Sequence, residues 1–213
     1  MIHFMGTSHA ARHLRSAAVA RGNKVVPAKD AQLIFVAEDT PTDAKGRRNL
    51  KPIRALIKKA QTYGVPIVLT SQVPPGFTRS LGIERIWHQP ETLRMKDARK
   101  RAFSPEYIAV GGPAPLPPEY LVYLWRFGCP ILRMGWEEAE MSKIAVNMML
   151  AFQVDATNTL AAACKKVGAD WLRVANALRY DRRIGPRAYL EPGRWQASKH
   201  LLRDHRTLLE ILK

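Results

Sequence analysis

The sequence is poor in cysteine and has no long apolar run. Its 213 residues include two cysteines, Cys129 and Cys164, which fit free thiols in a reducing compartment better than a disulfide framework. No stretch of about 18 uncharged apolar residues occurs, so no membrane-spanning helix is predicted. Gly6, Ser8 and Arg12 interrupt the apolar core that a signal peptide would need at the N-terminus. We therefore expect a cytoplasmic protein with no membrane partner.

Patterns typical of metal sites are missing as well. The histidines His3, His9, His13, His88 and His205 show no metal-ligand spacing with cysteines or carboxylates. The cysteine and histidine spacing of a zinc finger does not occur either. The sequence therefore predicts no bound metal.

Acidic residues are scarce relative to basic ones. The chain has 34 Lys and Arg residues against 18 Asp and Glu residues, which gives a formal net charge of +16 at pH 7. Such an excess indicates an anionic partner, either nucleic acid or a nucleotide-type ligand, but a basic host proteome or a solvated surface also explains it. Because the basic residues are dispersed and are not interleaved with aromatic residues, specific nucleic-acid binding is not expected.

A long stretch without proline or glycine dominates the C-terminal half. It covers residues 139–166, and its apolar residues, among them Ile144 and Met148, recur at helical spacing. The stretch predicts a helix of roughly 28 residues, about 42 Å long at 1.5 Å per residue. Lys143 and Asn147 are four residues apart and share one face of this helix.

A second helix follows the long one. Gly168 is placed to end the long helix, because glycine readily adopts the left-handed conformation found after helices. Asp170 is a typical N-cap residue and precedes an amphipathic segment. We therefore predict a helix over Trp171–Tyr180.

The N-terminus predicts a strand, a glycine turn and a helix in succession. Ile2–Met5 is a short apolar run, and a helical pattern continues from the turn to Gly22. This is the context of a dinucleotide-binding fingerprint, in which glycine permits the tight turn and the helix N-terminus offers N–H groups to a pyrophosphate. The pattern here is Gly6, Ser8 and Ala11, so a serine replaces the glycine that lets the backbone approach the phosphates.

The rest of the first half alternates strands and helices. Strands are predicted at Lys24–Val26, Asp30–Ala37, Val65–Leu69, residues 104–112 and Pro130–Met134, and helices at Leu50–Tyr63 and Glu119–Phe127. Such alternation is typical of an α/β fold with a parallel sheet. We predict a Rossmann-like domain over residues 1–134 and a helical domain over residues 135–213.

Several motifs follow one another in an order typical of one family. They are Thr40–Asp43 (TPTD), Thr70–Thr78 (TSQVPPGFT), His88–Arg94 (HQPETLR), Ala139-Glu140, Lys143, Asn147, Cys164, Gly168-Ala169-Asp170 and Asp181–Gly185. In these motifs the chain resembles the UDP-glucose/GDP-mannose dehydrogenase family. The resemblance covers nearly all of the chain but only the first half to two-thirds of a full member. We therefore expect a truncated member without the C-terminal UDP-binding domain.

The resemblance implies the NAD-dependent oxidation of a nucleotide sugar. The family makes two successive hydride transfers to NAD that convert a sugar primary alcohol to a carboxylate, with UDP-glucose as the default substrate. In the second oxidation a cysteine thiolate adds to the aldehyde, and a thioester is then hydrolysed. By resemblance, Lys143 and Asn147 stabilise the oxyanion and hold a water, and Glu91 is the acid/base of the sugar-binding loop.

The resemblance also assigns cofactor-binding residues. They are Gly6, Ser8, Ala11, Thr40, Pro41 and Gln72. The chain lacks some tens of residues that the family has between its second strand and the strand near Asp30, which makes the predicted sheet a trimmed Rossmann-like one. Pro27 follows the second strand, where the family has an acidic residue that binds the ribose. We therefore expect NAD binding to be weak or lost.

The catalytic cysteine is the clearest departure from the family. Along the segment from Pro192 to Asp204, which is the family's aspartate, His200 falls where the thiol belongs. Imidazole cannot replace a thiolate in thioester formation, but it can act as a general base near pH 7, so a single oxidation to the aldehyde stays conceivable. The bulky side chains in this segment also allow an amphipathic helix over Ser198–Leu209 in place of a loop round the sugar.

The sequence leaves three functions open. The first is an NAD-dependent nucleotide-sugar 6-dehydrogenase homologue of degenerate activity, whose all-helical domain forms a homodimer through the long helix, as in the family. The second is a non-catalytic binding or regulatory protein that pairs through that helix with a full-length dehydrogenase, or binds an anionic ligand. The third is a decaying gene product or one half of a split enzyme.

Overall fold

The computed structural model describes residues 1–43, 47–94 and 96–213. The chain forms two compact units, Met1–Lys143 and Ile144–Lys213. The division falls inside the long helix, whereas the sequence places a domain boundary just before that helix. The boundary at residue 134 therefore stays a prediction.

The first unit is built on a six-stranded sheet whose strands lie side by side in chain order. The strands are β1 (Ile2–Met5), β2 (Leu33–Val36), β3 (Ile67–Leu69), β4 (Ile86–His88), β5 (Ile108–Gly111) and β6 (Ile131–Met134). Neighbouring strands are parallel except β4 and β5, which pair in the antiparallel sense. The predicted α/β fold is confirmed, with one antiparallel pair that the sequence did not predict.

Helices cover the sheet of the first unit. They are α1 (His9–Ala20), α2 (Lys51–Gln61), α3 (Ala98–Phe103) and α4 (Pro118–Trp125). Because strand residues point alternately to the two faces, β2 contributes to two separate apolar cores. Phe35 stacks on Phe4 with ring centroids 4.7 Å apart in one core, and Ile34 and Val36 pack with Ile53 in the other. All four residues of β2 are therefore buried, as expected for a strand covered on both faces.

Two strands differ from the sequence prediction. Lys24–Val26 is not a strand, because only Val25 pairs with β1, through hydrogen bonds from Ile2 N to Lys24 O (2.9 Å) and from Val26 N to Ile2 O (3.0 Å). Conversely, β4 lies where the sequence indicated only a loop. The outer side of β1 thus has only this short pairing among the described residues, which agrees with the prediction of a trimmed sheet.

Helices make up most of the C-terminal part of the chain. They are α5 (Trp136–Lys166), α6 (Trp171–Tyr180) and α7 (Lys199–Ile211). The helix α5 has 31 residues and starts three residues before the predicted stretch. The helix α6 has the predicted bounds. As expected of an N-cap residue, the Asp170 carboxylate accepts a hydrogen bond from Leu172 N (2.8 Å). The helix α7 covers most of the segment Ser198–Leu209, for which the sequence allowed an amphipathic helix.

Hydrogen bonds from side chains of α5 hold the segment between α6 and α7 against this helix. Thr157 Oγ1 donates to Tyr189 O (2.9 Å), and Tyr189 N donates to Gln153 Oε1 (2.9 Å). The Asn158 side chain donates a hydrogen bond to Gly193 O (2.8 Å) and accepts one from Gly193 N (2.9 Å).

None of the described helices combines the length and the apolar character needed to cross a membrane.

Candidate functional site

The turn after β1 is held against the chain that follows β2. Gly6 has a φ of +117°, and a Cβ added to it would lie 2.2 Å from Ala37 O. Any other residue would therefore clash with a neighbouring backbone as well as adopt a left-handed conformation. The first glycine of the predicted fingerprint is thus required by a close backbone approach.

Ser8 has a structural task in this turn. Its buried side chain is the N-cap of α1, where Ser8 Oγ accepts a hydrogen bond from Ala11 N (3.0 Å). The same Oγ donates to Ala37 O at 2.9 Å. The serine therefore replaces the expected glycine with a side chain that caps the helix and binds the adjacent loop.

The Glu38 carboxylate lies at the same turn. Glu38 Oε2 accepts hydrogen bonds from Thr7 N (2.9 Å) and Thr7 Oγ1 (3.4 Å), and Oε1 accepts one from Asp39 N (2.9 Å). The backbone of Glu38 is fixed in turn, because its N–H donates to Ser71 Oγ at 2.8 Å. An anion supplied by the chain itself thus lies where the fingerprint predicts the pyrophosphate of a dinucleotide.

Thr40 and Gln72, which the resemblance assigned to the cofactor, lie next to each other. Thr40 Oγ1 donates to Gln72 O at 3.3 Å, and Arg48 Nη1 lies 3.4 Å from the same oxygen. Pro41 is exposed and lines an open cavity of about 370 Å³ together with Glu38. These contacts involve the backbone of Gln72, so cofactor binding by its side chain stays a prediction.

Glu91 lies in the loop that follows β4. Its carboxylate accepts a hydrogen bond from Leu93 N at 2.7 Å, which stabilises the conformation of the loop. The adjoining cavity, lined by Glu91, Leu14 and Tyr107, has a volume of about 30 Å³. Small-molecule sites usually measure about 300 Å³ or more, so this cavity does not admit a sugar ring in the described arrangement.

His88, at the end of β4, is buried in the first unit. Only 1% of its surface is exposed, and its Nδ1 has no hydrogen-bond partner among the described residues. Burial lowers the pKa of His88 to about 3, so its imidazole is neutral near pH 7. The sequence motif placed His88 in a loop, so this buried imidazole was not anticipated.

Glu140 of the Ala-Glu motif binds the segment before Arg79. Its carboxylate, 1% exposed, accepts hydrogen bonds from Gly76 N (2.6 Å) and Thr78 N (2.7 Å). Burial raises the pKa of Glu140, and these backbone donors act in the opposite direction. The motif's carboxylate therefore joins the start of α5 to a loop that follows β3.

Two of the predicted catalytic residues meet in the second unit. Asn147 Nδ2 donates to Asp204 Oδ2 at 2.6 Å, and Asp204 is fully buried. Arg203, itself 5% exposed, lies with its Nε 3.2 Å from Asp204 Oδ1. Lys143, which the sequence pairs with Asn147 on α5, is half-buried at the end of the first unit.

Comparison with known sequences relates these residues to a family. Residues 137–213 match the model of the UDP-glucose/GDP-mannose dehydrogenase family, central domain. The UDP-glucose 6-dehydrogenase YwqF of Bacillus subtilis is 30% identical over 196 residues, which are 85% of this chain and 44% of YwqF. The UDP-glucose 6-dehydrogenase TuaD of the same species is 27% identical over 86% of this chain and 43% of TuaD. The chain is thus similar to the UDP-glucose/GDP-mannose dehydrogenase family over most of its length, and residues 137–213 match the central domain of that family.

Solved structures of UDP-glucose/GDP-mannose dehydrogenases share the fold. A UDP-glucose dehydrogenase from Pyrobaculum islandicum superposes with a TM-score of 0.82 at 21% identity, over 99% of this chain and 63% of that one. A GDP-mannose dehydrogenase from Pseudomonas aeruginosa gives a TM-score of 0.75 at 19% identity, over 90% and 59%. The chain thus spans less than half the length of the two Bacillus relatives.

Two polar groups of the turn to which the sequence assigned a dinucleotide make hydrogen bonds within the protein. The Thr7 N–H donates to Glu38, and the Ser8 hydroxyl is taken up by the helix cap and by Ala37. On the outer side of β1, where a second strand would border the predicted ribose site, Val25 makes the only pairing among the described residues. The Thr7 N–H and the Ser8 hydroxyl are therefore both bonded to the chain that follows β2.

The segment that contains His200 is helical. His200 is exposed in the first turn of α7, which Ser198 caps by accepting a hydrogen bond from Leu201 N at 3.4 Å. Two residues with contacts described above, Glu38 in the first unit and Arg203 in the second, had no role assigned from the sequence. The only signal for Glu38 was an acidic residue just after a buried strand next to β1.

Proposed function

We propose that this chain retains the fold of a nucleotide-sugar 6-dehydrogenase but does not oxidise the sugar to the acid. The ligands in this proposal are NAD and a nucleotide sugar such as UDP-glucose, as implied by the resemblance to the family. The observation on which the proposal rests is the exposed position of His200 in a capped helix, at the place of the family's thiol.

In the route that the family resemblance implies, oxidation of the aldehyde to the acid needs a cysteine thiolate that forms a thioester intermediate. The two thiols of the chain are poor candidates. Burial raises the pKa of the Cys129 thiol, which lowers its thiolate fraction, and Cys164 packs on α5 against the apolar cluster around Trp171. Since His200 can accept a proton but cannot form a thioester, oxidation of the alcohol to the aldehyde is the furthest step in this proposal.

Asn147 has a limited role in the same proposal. Its amide nitrogen donates to the buried Asp204 carboxylate, which fixes the orientation of the side chain. The amide oxygen then remains the group that would hold a water or a sugar hydroxyl. The positive charge that the family places beside a developing oxyanion is assigned to Lys143.

The amount of NADH formed tests this proposal. We expect the purified chain with UDP-glucose and NAD to produce fewer than two NADH per sugar, measured by absorbance with YwqF as the positive control. The variant His200→Cys should not restore the second hydride transfer, because the new thiol lies on a helix rather than in a glycine-rich loop. Sustained production of two NADH per sugar by the unaltered chain would refute the proposal.

A second function, regulatory pairing, is favoured by the surface of α5. This helix exposes apolar residues at Val146 (42%), Met149 (61%), Phe152 (47%) and Leu160 (48%). These residues recur at spacings close to three or four and multiples of them, as expected of a helix face that packs against another helix. We propose that this face forms a homodimer, or pairs with the same helix of a full-length dehydrogenase.

Charge reversal on this face tests the pairing. We expect the unaltered chain to have twice its monomer mass of 24.0 kDa by light scattering. The double variant Met149→Glu/Phe152→Glu should be monomeric, because dimerisation would bury two carboxylates. Lys165→Glu, an exposed position near the end of α5, should leave the mass unchanged. A monomeric unaltered chain would contradict homodimerisation.

A further inference from the structure

The Glu38 carboxylate is positioned by a set of tight backbone contacts. Ser8 Oγ donates to Ala37 O, and Ser71 Oγ accepts from Glu38 N, so the residues on both sides of the peptide before Glu38 are tied. Ser8, Ala37 and Ser71 are 5%, 2% and 4% exposed, respectively. The side chain therefore starts from a fixed backbone directly beside the turn that follows Gly6.

The carboxylate makes the contacts that a phosphate would make at this turn. Glu38 Oε2 receives the Thr7 N–H and lies near the Thr7 hydroxyl. The turn leads into the N-terminus of α1, where the helix dipole favours negative charge. The first turn of α1 contains no acidic residue of its own, so the anion is supplied by the loop after β2.

From this geometry we infer that Glu38 is an internal anion that closes the phosphate-binding turn and keeps dinucleotides out. A pyrophosphate that reached the turn would have to displace a carboxylate tethered within the same fold. It would also meet the negative charge of that carboxylate at close range. The Glu38 carboxylate thereby occupies the position of the cofactor phosphates, and this one side chain determines whether a dinucleotide can bind.

Substitution of Glu38 tests this inference by binding alone. NAD is titrated by calorimetry into the unaltered chain, Glu38→Ala, Glu38→Gln and the control Asp39→Ala. Asp39 is the exposed neighbour whose loss changes the net charge equally. We expect Glu38→Ala to bind NAD at least about tenfold more tightly than the unaltered chain. Asp39→Ala should resemble the unaltered chain.

The variant Glu38→Gln tests the contribution of the negative charge alone. It keeps the size of the side chain and one oxygen acceptor, and removes the charge, so it should also gain affinity, though less than Glu38→Ala. It gives a result even if the alanine variant fails to fold, which thermal unfolding would reveal. Inorganic pyrophosphate, titrated in parallel, should follow the same order.

Three results would overturn the inference. They are an unchanged or weaker NAD affinity in folded Glu38 variants, an equal gain in Asp39→Ala, and no NAD binding by any of the four proteins at millimolar concentration. The last result would mean that Glu38 is not what keeps the cofactor out. Since none of these results concerns turnover, the inference can fail while the proposed absence of acid formation stands.

Discussion

Replacing Glu140 with alanine should lower the free energy of unfolding of the first unit by about 3 kcal/mol. The buried carboxylate accepts hydrogen bonds from Gly76 N and Thr78 N. Its removal leaves two donors without these partners, and each unsatisfied buried group costs about 1–3 kcal/mol. Urea unfolding followed by circular dichroism measures the change.

The control for this substitution is Glu138→Ala on the same helix. Glu138 is exposed, and alanine is the better helix former, so its substitution should change stability by less than about 0.5 kcal/mol. A loss of under about 1 kcal/mol for Glu140→Ala would show that the loop before Arg79 does not depend on this carboxylate.

Acidification should destabilise the first unit through His88. In the folded chain burial lowers the pKa of His88 to about 3 from 6.5, so between these values the unfolded chain binds more protons. Stability therefore falls as the pH falls through this window, by about 1.4 kcal/mol per pH unit. At pH 5 the loss relative to pH 7 should be about 2 kcal/mol.

The variant His88→Leu isolates this effect. Leucine does not titrate and suits a buried site, so the difference in stability between the variant and the unaltered chain should grow in favour of the variant as the pH falls from 7 to 5. Glu140, whose pKa is raised, opposes the trend but is common to both proteins. His200→Gln, at an exposed position, is the control. Parallel pH profiles for His88→Leu and the unaltered chain would contradict the account.

The helices of the second unit were predictable because their signals are local. The helix α6 has the predicted bounds since Asp170 caps it, and Gly168 adopts a φ of +73° after α5. The absence of proline and glycine over residues 139–166 is likewise enough to predict α5. Each of these signals lies within a few residues of the feature that it determines.

The strands at the margins of the sheet were harder to predict because a strand needs a neighbour. Lys24–Val26 has a strand-like composition, yet only Val25 pairs with β1. The strand β4 has three residues and no periodic pattern, and its pairing with β3 comes from the tertiary fold. Composition alone therefore predicted one strand too many and missed another.

The contacts of the candidate site depend on residues far apart in sequence. Thr7 and Glu38 are 31 residues apart, and Asn147 and Asp204 are 57 apart. The resemblance to the family supplied Asn147 and Asp204 as separate residues, but not their direct hydrogen bond. Nothing local to Glu38 distinguishes it from a solvated acid, so its place at the turn emerged only from the fold.

The central claim is that a nucleotide-sugar dehydrogenase fold persists here without oxidation of the sugar to the acid. Mass spectrometry of UDP-glucose, after prolonged incubation with NAD and stoichiometric amounts of the chain, tests it most directly. The account predicts that the nucleotide sugar is recovered with no gain of an acid group. Detection of UDP-glucuronate above the level of a parallel incubation without the chain would contradict it.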